Sequence, residues 1–238
     1  MYRTNRATHY GADQGAGHEI DASRSLLMYI GTAVCLAWDD AVQLRLLDKP
    51  SDAAPAGFEH CVELIGPAQE AALIENFAAL EFREFEFRGY LGKRRTVSFG
   101  WHYDFTDSRV RPADEIPTFL LPLREAAAEF AGLLPATLAH ALVTEYTPGA
   151  GIGWHRDRPV FGDVVGVSLL ARSRFRLRRK RGDGWERTAV DLMPRSAYLL
   201  RGPVRREWEH SIPPLDSLRY SVTFRTLAAT PSGTARSR

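Results

Sequence analysis

The sequence predicts a mainly β domain of the α+β class, in which helices support an antiparallel sandwich or barrel. Three observations predict it. Short apolar or alternating runs separated by turn residues follow one another from Ala141 onward. No helix-length pattern interrupts those runs, and two amphipathic helical stripes precede them. The sequence contains neither G-x-G-x-x-G nor a Walker loop, which argues against a nucleotide-binding α/β domain.

The composition indicates a globular chain with an ordinary surface. Of the 238 residues, 45% are hydrophobic and 11% aromatic, enough to fill a core, and the net charge is only +2. Cys35 and Cys61 form neither a C-x-x-C motif nor a disulfide framework, which suits a reducing cytosol. We therefore expect a cytoplasmic monomer with no membrane partner.

The chain divides into three parts by composition. Residues 1–57 read as an N-terminal extension, partly disordered, which ends in the linker-like "KPSDAAPAG". Its apolar stretch, Leu26 to Trp38, is too short to cross a bilayer, and no small-residue cleavage site follows it. Residues 58–227 form the predicted folded domain, and residues 228–238 a flexible C-terminal tail.

Two helices are predicted ahead of the β-rich half. The first begins at Pro67, a favourable helix-start residue, and the second covers residues 121–133. The apolar stripe of the first comprises Leu73, Ile74, Phe77 and Leu80; that of the second comprises Leu123, Ala127 and Phe130.

Two His-x-Asp motifs occur, His102-x-Asp104 and His155-x-Asp157. Residues i and i+2 of a strand share a face, so either pair could bind one ion. Only the second has a plausible third ligand, His210, which precedes a Pro-rich turn. Two imidazoles and one carboxylate that leave open positions are typical of non-haem Fe(II) oxygenases.

The run "RYSVTFR" alternates between apolar and polar residues. If Tyr220, Val222 and Phe224 pack on the helices, Arg219 and Arg225 point into the barrel. Buried guanidinium groups need anionic partners, and a small dicarboxylate would supply them. The alternative is an edge strand whose arginines face water. The order of this strand after the His-x-Asp motif and the third histidine favours the inward orientation.

These motifs, together with Tyr146-Thr147-Pro148-Gly149, resemble the AlkB family of Fe(II)/2-oxoglutarate-dependent dioxygenases. The resemblance runs from about Phe58 to Leu227 and implies a double-stranded β-helix, or jelly roll, with N-terminal supporting helices. It implies that Fe(II) is bound by His155, Asp157 and His210.

The resemblance also implies how the co-substrate is bound. Arg219, helped by Tyr146, would bind the distal carboxylate of 2-oxoglutarate, and Arg225 would lie near the carboxylate that chelates the iron. Thr144 and Ser221 stand where the family has asparagines and keep hydrogen-bonding capacity. With O2, such enzymes convert 2-oxoglutarate to succinate and CO2, and they release an oxidised N-methyl group as formaldehyde.

The segment "RGYLGKRRT" resembles the substrate-recognition lid of the family, which assigns Arg94 and Arg95 to the substrate. Trp101 and Tyr103 follow it and could stack on an extruded base. The plain alternative is a core strand in which Phe99, Trp101, Tyr103 and Phe105 share one face, and His102 and Asp104 the other. In neither case are His102 and Asp104 metal ligands.

Residues 172–181, "RSRFRLRRKR", are rich in cations and contain no acid. With "GDG" after them, they predict a β-hairpin whose Phe175 and Leu177 face inward. Its arginines form either a solvated face or, as the sharper hypothesis, a ridge that contacts phosphates.

Three functions remain open from the sequence. The first is demethylation of alkylated nucleic-acid bases. The second is the same chemistry on a protein side chain or a small molecule, favoured by Pro159, which stands where repair members of the family commonly carry an acid. The third is a non-catalytic module, which the retention of all three ligands and both arginines disfavours.

Overall fold

The computed structural model of the chain describes residues 54–87, 90–104 and 109–228. The helices are α1 (Pro67–Phe77), α2 (Leu121–Phe130) and α3 (Gly202–Glu207), with 3-10 turns at Thr118–Leu120 and Pro135–Thr137. The strands are β1 (Phe58–Cys61), β2 (Arg83–Phe87), β3 (Tyr90–Phe99), β4 (Trp101–Asp104), β5 (Arg109–Pro112), β6 (His140–Tyr146), β7 (Ile152–His155), β8 (Phe161–Leu169), β9 (Ser173–Arg181), β10 (Gly184–Leu192), β11 (Ala197–Leu200), β12 (Glu209–Ile212) and β13 (Arg219–Leu227).

Two antiparallel sheets form the body of the domain. The larger has seven strands in the order β1-β11-β8-β13-β6-β3-β2, and the smaller has four in the order β10-β9-β12-β7. Strands β4 and β5 form a separate two-stranded pair. Because strands far apart in the chain are neighbours in each sheet, the arrangement is the jelly roll that the resemblance implied, and the mainly β prediction is confirmed.

The core has two layers, one on each face of the larger sheet. On the outer face, Leu73 and Phe77 of α1 and Leu123 of α2 pack with Val222 and Phe224 of β13. Burying each such side chain contributes roughly 1.5–3 kcal/mol. The predicted helical stripes and the apolar face of β13 are confirmed. The inner layer includes Phe58, Tyr146, Val164, Phe175, Leu177, Tyr198 and Ile212.

The predicted order of helices first and strands afterwards is wrong. Strand β1 precedes α1, and β2 to β5 lie between α1 and α2. Strand β1 has the weakly patterned sequence "FEHC" and pairs with β11, with Phe58 opposite Leu200 and Cys61 opposite Ala197. Its extended state comes from this long-range pairing, which local periodicity does not show.

The aromatic strand predicted around Trp101 is interrupted. Gly100 adopts a positive φ of 73°, and a Cβ there would collide with the carbonyl oxygen of Ala139. The chain turns at this glycine, so Phe99 packs in the outer core layer while Tyr103 lines a cavity. Those two aromatics therefore do not share the single face that was predicted. Phe105 lies outside the described residues.

The described strands begin at Phe58 and end at Leu227, which agrees with the predicted limits of the domain. The N-terminal extension up to residue 53 and the tail from residue 229 lie outside the described residues, and the domain limits remain a prediction. Among the described helices, none has both the length and the apolar composition needed to cross a membrane.

Candidate active site

A cavity of about 1340 Å³ opens between the two sheets. Its walls come from inward-facing residues of β6 and β13 on one side and of β7, β9 and β12 on the other. Ligand pockets in proteins typically enclose roughly 300–1,000 Å³. The cavity therefore has room for a small co-substrate together with part of a larger substrate.

The structure brings His155, Asp157 and His210 together in this cavity. His155 ends β7 directly opposite His210 of β12, and their rings lie 4.2 Å apart between centroids. Asp157 follows two residues after β7, and its Oδ2 lies 3.7 Å from Nε2 of His210. His102 of the other motif lies on a different strand, β4, and is an exposed residue at the cavity wall.

The donor set suits an octahedral divalent ion. Metal bonds of about 2.1 Å separate adjacent ligand atoms by about 3 Å, so the 3.7 Å between His210 and Asp157 requires only a small approach. Among the described residues, no group of three His, Cys, Asp or Glu side chains already lies close enough together to hold a metal ion, so His155, Asp157 and His210 would have to move closer together to bind one. His155 Nδ1 lies 2.9 Å from the carbonyl oxygen of Gly153 and donates to it in the tautomer that leaves Nε2 free to bind a metal.

Burial and charge favour the ligating protonation states. Burial, assisted by His155, lowers the pKa of His210 to about 3, and burial lowers the pKa of His155 as well. Burial alone would raise the pKa of Asp157, but Arg225, His210 and His155 hold it well below its usual range. At neutral pH the site therefore presents neutral imidazoles and a carboxylate, the forms that bind metal ions.

Arg219 has the environment of an anion-binding residue. It is only 1% exposed, its Nε donates to Ser168 Oγ at 3.1 Å, and its guanidinium lies 5.0 Å from the Tyr146 ring centre. Its Nη1 is buried without a hydrogen-bond partner. An uncompensated buried guanidinium is costly, so a carboxylate that enters the cavity would supply the missing partner.

Arg225 contacts one of the predicted metal ligands. Its Nε and Nη2 donate to Asp157 Oδ1 at 2.9 and 2.8 Å, and its Nη1 lies 3.3 Å from His140 Nδ1. Arg225 thus orients this ligand directly. Thr144 and Ser221 are cross-strand partners on β6 and β13, and both line the cavity. The roles of these three residues in binding 2-oxoglutarate stay predictions.

Of the four residues assigned to the substrate, Tyr103 and Arg94 line the cavity. The guanidinium of Arg158 lies 5.3 Å from the Tyr103 ring centre. Trp101 is not among the described residues that line the cavity.

Arg95 is a correction to the prediction. Because side chains alternate along β3, it faces away from Arg94 and pairs with Glu145 at 2.7 Å. Its role is therefore to satisfy the buried Glu145 carboxylate rather than to contact the substrate.

The predicted hairpin forms, but most of its arginines are paired with acids. Strands β9 and β10 pair around Gly182, and Phe175 and Leu177 face inward as predicted. The acids that the run lacks come from β10, α3 and β12: Arg172 and Arg174 pair with Asp191, Arg178 with Glu209, and Arg179 with Glu186 and Glu207. The structure therefore does not support the phosphate-contacting ridge.

With the geometry described, comparison with known proteins is informative. The model of the 2OG-Fe(II) oxygenase superfamily matches residues 59–225, which include the three donors and both arginines of β13. The chain belongs to this superfamily.

Relatives place the chain among AlkB-like members of the superfamily. An alkylated DNA repair protein ALKBH8 homolog of Arabidopsis thaliana is 27% identical over 199 residues, covering 74% of this chain. This chain spans only 55% of that protein. In fold the domain is similar to OsALKBH1, with a TM-score of 0.57, 17% identity and coverage of 73% of this chain and 98% of that one.

Prolyl hydroxylases share the fold as well. A Trichoplax adhaerens prolyl hydroxylase in complex with a hypoxia inducible factor peptide fragment matches with a TM-score of 0.53 and 12% identity, over 73% of this chain and 84% of that one. A Pseudomonas putida prolyl-4-hydroxylase matches with a TM-score of 0.50 and 14% identity, over 72% of this chain and 93% of that one. The 2OG-Fe(II) oxygenase superfamily uses Fe(II), 2-oxoglutarate and O2, so this chain is a 2-oxoglutarate-dependent dioxygenase.

Four residues of this oxygenase site escaped the sequence analysis: His140, Ser168, Tyr198 and Arg205. Ser168 and Gly166 are two residues apart in β8 and therefore lie on the same face of the strand. This alternation could have been recognised in the sequence. His140 contacts Arg225 and Phe161, and Tyr198 lies over Gly166 at the cavity wall. Nothing in the sequence marks Arg205, because its partners are backbone carbonyls.

Proposed function

We propose that this dioxygenase removes N-linked methyl groups from nucleic-acid bases. One methyl group, O2 and 2-oxoglutarate would give the demethylated base, formaldehyde, succinate and CO2. In this proposal His155, Asp157 and His210 would hold Fe(II), whose redox chemistry would allow a C–H bond of the methyl group to be oxidised. The proposal is narrower than the dioxygenase activity that the superfamily implies.

The lining of the cavity carries the proposal. Tyr103, with the guanidinium of Arg158 5.3 Å from its ring centre, presents an aromatic and cationic surface beside the metal donors. Arg94 adds a second guanidinium to the same wall. Flat bases stack on aromatic rings and guanidinium planes, and phosphates pair with arginine. The Arabidopsis relative, named an alkylated DNA repair protein, supports the same substrate class.

The protein side chains orient the reactants and exclude water. Arg219 and Tyr146 would bind the distal carboxylate of 2-oxoglutarate, where the Nη1 of Arg219 lacks a partner. Arg225 fixes the Asp157 carboxylate by two hydrogen bonds. Phe175, Tyr198 and Ile212 line the cavity from the inner core layer and keep it apolar around the donors.

The test is a turnover assay that compares substrate classes. Succinate and formaldehyde would be measured with methylated oligonucleotides, methylated peptides and methylated nucleosides. We expect both products with oligonucleotides. Turnover restricted to peptides or nucleosides would contradict the proposal and establish the second function, for which Pro159 is the supporting feature.

The ligand assignment has a separate test. His155→Ala, Asp157→Ala and His210→Ala should each abolish turnover, because each removes one of three donors. The control is His102→Ala, which should retain metal binding measured by titration with Mn(II). Loss of metal binding in a folded His102→Ala variant would show that the ligand set is wrong.

A further inference from the structure

Arg205 is a buried arginine outside the cavity. It lies on α3, the short helix between β11 and β12, and is 8% exposed. It is not among the described residues that line the cavity, so it does not contact a ligand there. Five residues after it on the same connection comes His210.

The guanidinium group of Arg205 makes four hydrogen bonds to the segment from Asp157 to Gly162, which leads from β7 into β8. We call this set of hydrogen bonds the clamp. Nη1 donates to the carbonyl oxygen of Asp157 at 3.0 Å, and Nη2 donates to those of Arg158 and Phe161 at 2.6 and 2.8 Å. Nε donates to the carbonyl oxygen of Gly162 at 3.0 Å. The clamp therefore spans the whole segment from the Asp157 backbone to the start of β8.

The energetics of this clamp differ from those of a surface ion pair. No carboxylate lies within salt-bridge distance of Arg205 among the residues that the structure describes. Burial lowers the pKa of Arg205, and the nearby Asp157 charge opposes that shift, but a guanidinium stays protonated at neutral pH. Carbonyl dipoles satisfy its charge, and four carbonyl groups of this half-buried segment gain a hydrogen-bond donor in turn.

We infer that Arg205 is a positioning residue of the metal centre, which fixes the Asp157 backbone relative to the connection that leads to His210. The inference rests on the ligand set proposed above. Arg225 holds the Asp157 carboxylate itself, whereas Arg205 holds its main chain, 48 residues away in sequence. The main chain at Asp157 is thereby tied to the helix that precedes the strand carrying His210.

The experiment measures Mn(II) affinity of the full chain by calorimetry in the presence of 2-oxoglutarate. Loss of groups that orient metal ligands typically weakens metal binding about 10- to 100-fold, and we expect Arg205→Ala to fall in that range. Arg205→Lys should be intermediate, since an ammonium has three donors and no planar fork for four carbonyls. The matched control is Arg206→Ala, an exposed neighbour on the same helix, which should bind Mn(II) like wild type.

A purely structural role predicts a different result. In that case Arg205→Ala would unfold at a lower temperature but bind Mn(II) with wild-type affinity while folded, and the inference would be overturned. If the alanine variant does not fold, wild-type affinity in folded Arg205→Lys overturns it equally. Mn(II) binding by wild type that survives in an Asp157→Ala variant would instead contradict the ligand set, which distinguishes the two failures.

Discussion

Two groups of arginines in this protein share a side chain and differ in every other respect. The arginines of the β9 hairpin are exposed or half-buried, and Asp191, Glu209 and Glu186 pair with most of them. Arg219 on β13 is buried in the cavity with one guanidinium nitrogen unpartnered. The arginines of the dense run are thus mostly paired, whereas the isolated arginine still has a nitrogen that can bind an anion.

The difference follows from solvation. Exposed ion pairs contribute roughly 0–1 kcal/mol each, because water already solvates both partners. A buried guanidinium has lost that water, so any carboxylate that reaches it gains a strong charge-assisted pair. The density of arginines along the sequence is therefore a poor indicator of where this protein binds anions, and the burial of an arginine is a better one.

The largest expected effect is on Arg219. Arg219→Ala should raise the KM for 2-oxoglutarate, since truncating one partner of a buried charge pair costs about 2–5 kcal/mol. Arg219→Lys should restore binding only in part, because it cannot form the bidentate fork. The control on the other group is Arg174→Ala, with an expected KM like that of wild type. Unchanged 2-oxoglutarate affinity in both Arg219 variants would show that the buried arginine binds the co-substrate no better than the hairpin arginines do.

The pH dependence of the free energy of unfolding distinguishes the contribution of the buried histidines from that of the exposed ion pairs. Burial lowers the pKa of His140 well below its usual value and that of His210 to about 3, so both stay neutral in the folded protein. In the unfolded chain they bind protons below about pH 6.5, so the unfolded state takes up more protons as the pH falls. Stability is therefore full above that pH and is lost on acidification.

Between pH 7 and 5.5, we expect the free energy of unfolding of the metal-free protein to fall by about 1 kcal/mol for each of these two histidines. Urea unfolding at several pH values measures it. In His140→Asn, the dependence should shrink by the contribution of that histidine, about 1 kcal/mol. Asp191 of the hairpin contributes nothing in this range, because its hydrogen bond with Arg172 lowers the pKa of its carboxyl. A flat profile would mean that the buried imidazoles are charged or solvated.

The smallest effect is expected at the hairpin. Replacing Arg174, Arg176 and Arg178 together by Ser should reduce the salt slope of oligonucleotide binding by no more than about 1, because Asp191 and Glu209 already compensate two of them. Asp191→Asn, which releases Arg172 and Arg174, should tighten binding at low salt only. A slope loss near 3 in the triple variant would show that all three arginines contact phosphates.

Local pattern was enough for several features of this protein. Alternation along "RYSVTFR" correctly assigned one face of β13 to the helices and the other to the cavity. The inward position of Phe175 in the hairpin was predicted correctly for the same reason. His155, Asp157 and His210 line one cavity, and their role as metal ligands stays a prediction. Side-chain direction repeats every two residues in a strand, so a few neighbours in sequence determine it.

Tertiary structure decided which groups meet. Arg225 donates to Asp157, 68 residues away in the sequence, Arg205 donates to carbonyls 43 to 48 residues away, and Arg95 donates to Glu145, 50 residues away. The acids opposite the hairpin and the interruption at Gly100 were equally hidden. Periodicity shows on which face of a strand a side chain lies. Which groups that face meets depends on how strands distant in sequence pair. The sequence alone therefore predicted the candidate donors, and only the fold determined their partners.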